Sequence, residues 1–394
     1  MNAVYPPEGP MAMPGSQTSL REANQRRVIQ AVRESVAPTQ ADIARSTGLS
    51  RATVSNIVRE LTADGLLVVT PTSAGGRRAR AVSLAPGAGL AVGVDFGHSH
   101  LRVAIGNLAR EVIAERVMPL DVGASAADGL SAAERLLDEL LSSAGATRDD
   151  VIGIGLGVPG PVDKVTGTLG SSTILPGWAG IHAADEAARR LGRPVHVDND
   201  ANLGALAEVI WGAARGHPDA AYIKISSGVG AGIVIGGRVY HGPGGTAGEI
   251  GHLTLNESGP MCRCGNRGCL ETFAGGRYLA DLLRPAHGEG LTTARIVELA
   301  LSGDAPCRRA VSDAGRYVGA GVASLCNLLN PTRVVVGGDL GRAGDLLLEP
   351  MAEAMGRSAI ASAASLVSIV PGILGDRAEV LGALALVLQA WEIV

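Results

Sequence analysis

Four side chains in one short stretch have the types and spacing of a metal site. Within GEIGHLTLNESGPMCRCGNRGCLE, residues 248–271, His252, Cys262, Cys264 and Cys269 form H-x9-C-x-C-x4-C. Three thiolates and one imidazole complete a tetrahedral zinc set, and Gly265 and Gly268 allow the tight turns that such a knuckle needs. Four protein ligands leave no open position, so the metal is expected to be structural. It would hold His252 in one orientation with its second ring nitrogen free for a ligand. With no secretion signal ahead of them, disulfides are a poor account of these cysteines, and thiol redox chemistry is the other use left open. Cys307 and Cys326 lie in helical apolar context and read as inert core.

A second group is VHVDNDANLGALAE, residues 195–208, with Asp198, Asn199, Asp200 and Asn202 between an apolar strand and a helix. Polar residues at that location typically face a cleft. Asp200 has the chemistry of a base that takes a proton from a hydroxyl during phosphoryl transfer to an alcohol. A plain helix cap is the competing role.

A third group is glycine turns. GVDFGHSHLRV, residues 93–103, runs strand, tight polar turn, strand, and YIKISSGVGAGIVIGGRVYHG repeats that plan about 130 residues later. Two such hairpins in an alternating α/β chain predict a duplicated fold with a cleft between lobes, each turn presenting N–H groups that suit phosphate. In NLLNPTRVVVGGDLGRAG a buried strand, Val334 to Val336, meets Gly337 and Gly338 and then a helix; glycines there permit close approach by a flat ligand. Each hairpin alone is more often plain structure than a site. The GxGxxG of Gly155, Gly157 and Gly160 is followed by Pro161 and Val162, which continue as extended chain, so a dinucleotide fingerprint is rejected; no GxxxxGK[ST] occurs.

The elements ahead of these motifs have a different character. In TQADIARSTGLSRATVSNIVRELTADGLLVV, Thr39 and Asp42 make a capping box, Gly48 breaks the first helix, and Ser50 caps the second. Val54, Ile57, Val58 and Leu61 form that helix's core face. Its outer face carries Arg51, Ala52, Thr53, Ser55, Asn56 and Arg59, side chains suited to base edges and phosphates, with Thr39 and Gln40 at the start of the preceding helix. An amphipathic helix through Val28, Ile29 and Val32 comes before. Two strands around Gly75-Gly76-Arg77-Arg78 come after, a wing whose Arg77 and Arg78 fit a narrow minor groove. A packing domain of the same shape that binds no DNA is the alternative.

Charge divides along the same line. Residues 1–85 hold ten Arg against six acids, net +4, leaving −8 for the remainder of a chain whose total is −4, so a polyanionic partner would meet the head. Lysine occurs only at positions 164 and 224, which reads as a GC-rich coding bias. At 394 residues and 46% hydrophobic content the chain can bury a core in two or three domains. No apolar run approaches the roughly 18 residues of a membrane span, and a cytoplasmic protein with no membrane partner is expected. The expected organisation is a disordered arm at 1–18, a winged helix-turn-helix domain at 19–85, and a body at 86–394. Within the body, lobe one covers about 90–203 plus a C-terminal helix at about 378–394, and lobe two about 204–377.

ISSGVGAGIVIGGRVYHGPGGTAGEIGH, CRCGNRGCLE with His252 upstream, and VDNDAN together resemble the ROK family of repressors, open reading frames and sugar kinases, from about residue 19 to the end. The resemblance implies an α/β body of two actin/hexokinase-like lobes, to which regulator members add an N-terminal winged helix. It implies that Gly160, Asn199, Asp200, Glu249, His252 and Glu271 line a sugar site, with Asp200 the base in kinase members, and that the cysteine cluster holds zinc. Kinase members read D-x-G-G-T-K where this chain has Asp95, Phe96, Gly97, His98, Ser99 and His100. They read L-G-T-G where it has Ile225, Ser226, Ser227 and Gly228, with Gly230 following. Gly337 and Gly338 persist on the adenosine side. A His Cβ at position 98 is expected to restrict the backbone and fill the phosphate's path, and loss of the cation at position 100 removes charge unless His100 is protonated.

Two functional classes follow. One is a sugar-responsive regulator, read as a repressor, that binds palindromic operator DNA as a homodimer or homotetramer; sugar closure of the lobes would act through a linker near residues 82–90. The other is an ATP-dependent hexose or N-acetylhexosamine kinase using Asp200 and ATP-Mg, possible only if His98 is tolerated. A regulator that senses a partner protein or a sugar phosphate shares the first class's head.

Overall fold

The computed structural model describes residues 17–34, 38–74, 77–121, 123–163, 166–169 and 175–391. The chain divides into two compact units, one of residues up to Leu90 with Gly106–Val112 and Trp391, the other of Ala91–Ile105 with Ile113–Ala390.

In the first unit, α1 (Gln17–Glu34) buries Val28, Ile29 and Val32. Helix α2 (Gln40–Thr47) opens on the expected capping box: Asp42 N donates to Thr39 Oγ1 at 3.3 Å and Thr39 N to Asp42 Oδ2 at 3.0 Å. Gly48 at φ 70 ends it, and Ser50 Oγ accepts from Thr53 N to start α3 (Arg51–Ala63). Val54, Ile57, Val58 and Leu61 of α3 are buried, as their spacing predicts. Strands β1 (Leu67–Ala74) and β2 (Arg77–Leu84) pair antiparallel with Leu67 opposite Leu84. Three helices and this hairpin make a winged helix. Gly75, Gly76 and the side chains of Arg77 and Arg78 lie outside the described residues.

The second unit is built on two five-stranded sheets. One has the order β5 (Val112–Pro119), β4 (His100–Asn107), β3 (Leu90–Phe96), β6 (Val151–Val158), β7 (Val195–Asn199); the other has β10 (Arg238–Tyr240), β9 (Val229–Ile235), β8 (Ala220–Ile225), β11 (Arg333–Gly337), β12 (Ser368–Pro371). The two orders are the same pattern. In each, three strands consecutive in sequence lie side by side, and two strands from later crossovers are added on the far side of the first. That is the duplication which the repeated hairpins predict. Both sheets are mixed: β6 and β7 run parallel, as do β8, β11 and β12, while β8, β9 and β10 are antiparallel.

The helices are α4 (Ala126–Ser143), α5 (Ala183–Leu191), α6 (Asp200–Ile210), α7 (Glu271–Ala274), α8 (Gly276–His287), α9 (Thr293–Leu301) and α10 (Ala305–Leu329), then α11 (Gly338–Gly341), α12 (Asp345–Ser358), α13 (Ala361–Ala364) and α14 (Ala378–Ala390). Helices α6 and α14 cross closely enough that a Cβ on Gly382 would collide with the carbonyl of Leu203. A Cβ on Gly155 would likewise strike Ala383 O, and one on Gly157 would lie 2.8 Å from Leu203 Cδ1. Two glycines of the rejected dinucleotide pattern therefore let helices lie on β6 rather than admit a pyrophosphate. No helix among the described residues is long and apolar enough to cross a membrane.

Candidate functional site

A cleft of about 610 Å³ in the second unit is lined by residues of both sheets' hairpin turns and by the polar group after β7. That volume lies in the usual range for a small-ligand site.

At one end stand the residues expected to face a sugar. Asn199 caps α6: its Oδ1 accepts from Ala201 N at 2.9 Å and Asn202 N at 3.3 Å, while its Nδ2 donates to Gly160 O at 2.9 Å. The cap is thus Asn199, while Asp200, whose Oδ1 also accepts from Ala201 N at 2.8 Å, lines the cleft. Asp198 does not face it. The Asp198 side chain is buried, accepting from Asn202 Nδ2 at 3.0 Å and meeting His241 Nε2 at 2.6 Å, a structural role. Burial and the nearby Asp200 and Glu271 carboxylates push Glu249 up to about 7 against the pull of Arg263. Glu271 lies 2.8 Å from Arg263 Nε through Oε1, and its Oε2 accepts from Arg263 Nη2 at 3.0 Å and Val229 N at 3.2 Å. Arg263, between two of the cysteines, orients Glu271 and was not foreseen; its place inside the knuckle was the available signal.

His252, Cys262, Cys264 and Cys269 bring four donor atoms within 4.8 Å of one another and can hold a metal ion. Cys262 Sγ is 3.6 Å from His252 Nδ1, and Cys264 Sγ is 3.7 Å from Cys269 Sγ. Donors about 2.3 Å from a tetrahedral zinc stand about 3.8 Å apart, so the donor set fits. Burial and the two neighbouring sulfurs push the Cys269 thiol up to about 12. With Nδ1 turned to the sulfurs, His252 presents Nε2 toward Glu249 Oε2, 3.8 Å away. Cys326 is buried, its thiol pushed up to about 11 by burial, in keeping with inert core, whereas buried Cys307, pushed up to about 12 by burial and Asp304, stands 3.4 Å from His287 Nε2 and with His287 and Asp304 forms a second group that could hold a metal ion.

The hairpin end differs from expectation in detail. His98 has an ordinary negative φ, so its backbone carries no strain. His98 lines the cleft, and the His100 ring lies where a Cβ on Gly97 would stand. His100 Nε2 is 3.0 Å from Asp95 Oδ2, and that hydrogen bond raises the imidazole's pKa despite burial. Burial lowers that of His98; Asp200 opposes the shift, and Lys224, Arg263 and Arg277 reinforce it. Ser99 is exposed at the tip. Across the cleft, Ser226 Oγ accepts from Asp339 N at 3.0 Å, and the backbone carbonyls of Ser226 and Ser227 receive Gly276 N and Arg277 N. A Cβ on Gly228 would strike Glu271 Oε2, one on Gly230 would lie 3.4 Å from Ala201 Cβ, and one on Gly337 would strike Tyr222 Oη. Gly338 sits at φ 76, with a Cβ there 2.6 Å from Ile225 O. Packing within the chain therefore accounts for Gly97, Gly228, Gly337 and Gly338 without a flat ligand, and the helix after Gly338 is a single turn.

The largest departure is Lys224. Counted above as one of two lysines spared by coding bias, it projects from β8 into the cleft with Nζ 2.9 Å from both Asp200 Oδ2 and Glu379 Oε1. Burial opposes its charge, but Asp200, Glu379 and Asp95 outweigh that and raise its pKa well above the usual lysine value. Asp200 is therefore an ion-paired carboxylate.

In the winged helix, Arg51, Ala52, Ser55, Asn56 and Arg59 of α3 are exposed on one face, with Thr53 and Gln40 half-buried. Arg59 Nη2 donates to Asn56 Oδ1 at 2.7 Å, and Thr39 spends its hydroxyl on the capping box.

The MarR family model matches residues 22–79 and the ROK family model residues 91–390. The chain is 32% identical over 390 residues to a putative xylose repressor of Caldicellulosiruptor sp. strain Rt8B.4, covering 95% of this chain and 98% of that one. It superposes on a ROK family transcriptional regulator, a homologue of the E. coli MLC protein, with TM-score 0.79 and 25% identity over 94% of this chain and 96% of that one. A ROK family glucokinase from Streptomyces griseus, in complex with glucose and AMPPNP, matches at TM-score 0.66 and 29% identity over 76% of this chain and 100% of that one. With the ROK model matching residues 91–390, three quarters of the sequence, the chain belongs to the ROK family.

Proposed function

We propose that this protein is a sugar-responsive DNA-binding transcriptional regulator, a repressor of genes for carbohydrate uptake or metabolism. The observation that carries the reading is one chain holding both an exposed polar α3 face and a polar cleft whose hairpin turn is filled by the His100 ring. Gly160, Asn199, Asp200, Glu249, His252 and Glu271 would hold the sugar's hydroxyls, and zinc on His252, Cys262, Cys264 and Cys269 would keep the imidazole in place. Arg51, Ser55, Asn56 and Arg59 would read one half-site, so a homodimer or homotetramer on a two-fold operator is the fitting assembly. Coupling of about 1–3 kcal/mol between sugar and operator suffices for induction. Xylose and glucose are the first sugars to offer, given the repressor and glucokinase relatives. ATP-dependent kinase chemistry is the weaker reading, because Asp200 is paired to Lys224 and the first hairpin is filled.

Genomic fragments retained by the purified protein should share a two-fold repeat. Fluorescence anisotropy on that repeat should then change about 5- to 150-fold in affinity with the right sugar. ADP release above about 1 s⁻¹ from ATP-Mg and sugar would overturn the reading in favour of the kinase.

A further inference from the structure

Three carboxylates from separate elements converge on one ammonium group in the cleft. Asp95 lies next to the end of β3, Asp200 begins α6 and Glu379 lies on α14, while Lys224 comes from β8. The Asp95 side chain is 2% exposed, Asp200 14%, Glu379 7% and Lys224 15%. Lys224 Nζ contacts Asp200 Oδ2 and Glu379 Oε1 directly and interacts electrostatically with Asp95. His100 takes one oxygen of Asp95; the other, Oδ1, is buried without a hydrogen-bond partner.

Carboxylates gathered from three elements into a cleft are the donor set of a hard divalent cation, and phosphoryl transfer from ATP requires such a cation. Buried like charges cannot coexist without compensation. In this chain the compensation is an internal ammonium in direct contact with two of the three groups, standing where a cation that bridged them would sit. The residues present do not fit ATP-Mg.

The geometry points to Lys224 as a resident cation that takes the place of a divalent metal among Asp95, Asp200 and Glu379. Lys224 is then a positioning residue. It holds the Asp200 carboxylate in one orientation, as an acceptor for a hydroxyl hydrogen bond. This last clause rests on the sugar-site reading above; the displacement of the metal does not, so the two can fail separately.

The test uses the full chain with its zinc retained and Mn2+ as probe. Lys224→Gln keeps most of the side chain's length and removes its charge. Electron paramagnetic resonance titration should find no Mn2+ bound at this site in the unmodified protein and a single bound ion in Lys224→Gln, at least about 10-fold tighter. Adding Glu379→Gln to that variant should weaken the new binding. The proposal is overturned if Lys224→Gln binds Mn2+ no better than the unmodified chain, or if the unmodified chain binds an ion that Glu379→Gln removes. Should Lys224→Gln fail to fold alone, recovery of folded protein in Mn2+ supports the proposal, and failure to recover in Mn2+ overturns it.

Discussion

His100 Nε2 lies 3.0 Å from Asp95 Oδ2, and the imidazole ring closes over Gly97 at the turn where a phosphate loop would be open. The two histidines of this turn are driven in opposite directions, which gives a pH signature. His100 is raised by its hydrogen bond to Asp95 despite burial, and is also lowered by Lys224 and Arg102. It contributes stability that is fully present below its unfolded value of about 6.5 and fades as pH rises through the raised folded value. His98, lowered mainly by burial, does the reverse: its contribution is present above about 6.5 and lost as pH falls through its depressed value. Ring-proton NMR titration should resolve the two, and Asp95→Asn should lower His100, because burial, Lys224 and Arg102 then act unopposed. Equal midpoints for both rings would contradict the geometry.

Opening the turn should restore nucleotide affinity without turnover. His98→Gly with His100→Lys and Ser226→Gly vacates the space over Gly97 and returns a cation to position 100. Calorimetry should detect ATP binding absent from the parent, with no ADP release while Lys224 still pairs Asp200. Binding unchanged from the parent would sink the filled-turn account.

Zinc removal should act on the sugar site rather than only on the knuckle. Chelation, or Cys264→Ser, frees His252 from its fixed orientation and should weaken sugar binding by about 10- to 100-fold. Atomic absorption should find one zinc per chain beforehand. Loss of metal with sugar affinity intact would separate the two sites.

On the DNA face, Arg59→Ala should weaken operator binding by about 1–3 kcal/mol if the side chain reaches a base edge, or nearly uniformly across sequences with a smaller salt slope if it reaches a phosphate. Band-shift measurements at two salt concentrations distinguish these outcomes. Thr39→Ala should behave differently: it breaks the capping box with Asp42 and should lower the winged helix's stability by about 1 kcal/mol, read by calorimetry.

What was legible in the chain was local in cause. The Thr39–Asp42 box, the Ser50 cap, the core stripe of α3 and the H-x9-C-x-C-x4-C spacing all depend on residues close together in the chain, where helix period, turn geometry and ligand chemistry act directly. The repeated hairpins announced a duplicated sheet for the same reason. The state of the cleft was settled otherwise. Lys224, Asp200, Asp95 and Glu379 come from four elements, and nothing in the types of their sequence neighbours marks Lys224 as more than a rare residue in a strand. Only when β8 lies beside α6 and α14 does one ammonium group stand against two carboxylates, because charge pairing acts over a few ångströms of space rather than along the chain. His100 follows the same logic at shorter range: its identity was plain, but the hairpin's folding laid its ring over Gly97 and turned a missing cation into a filled site.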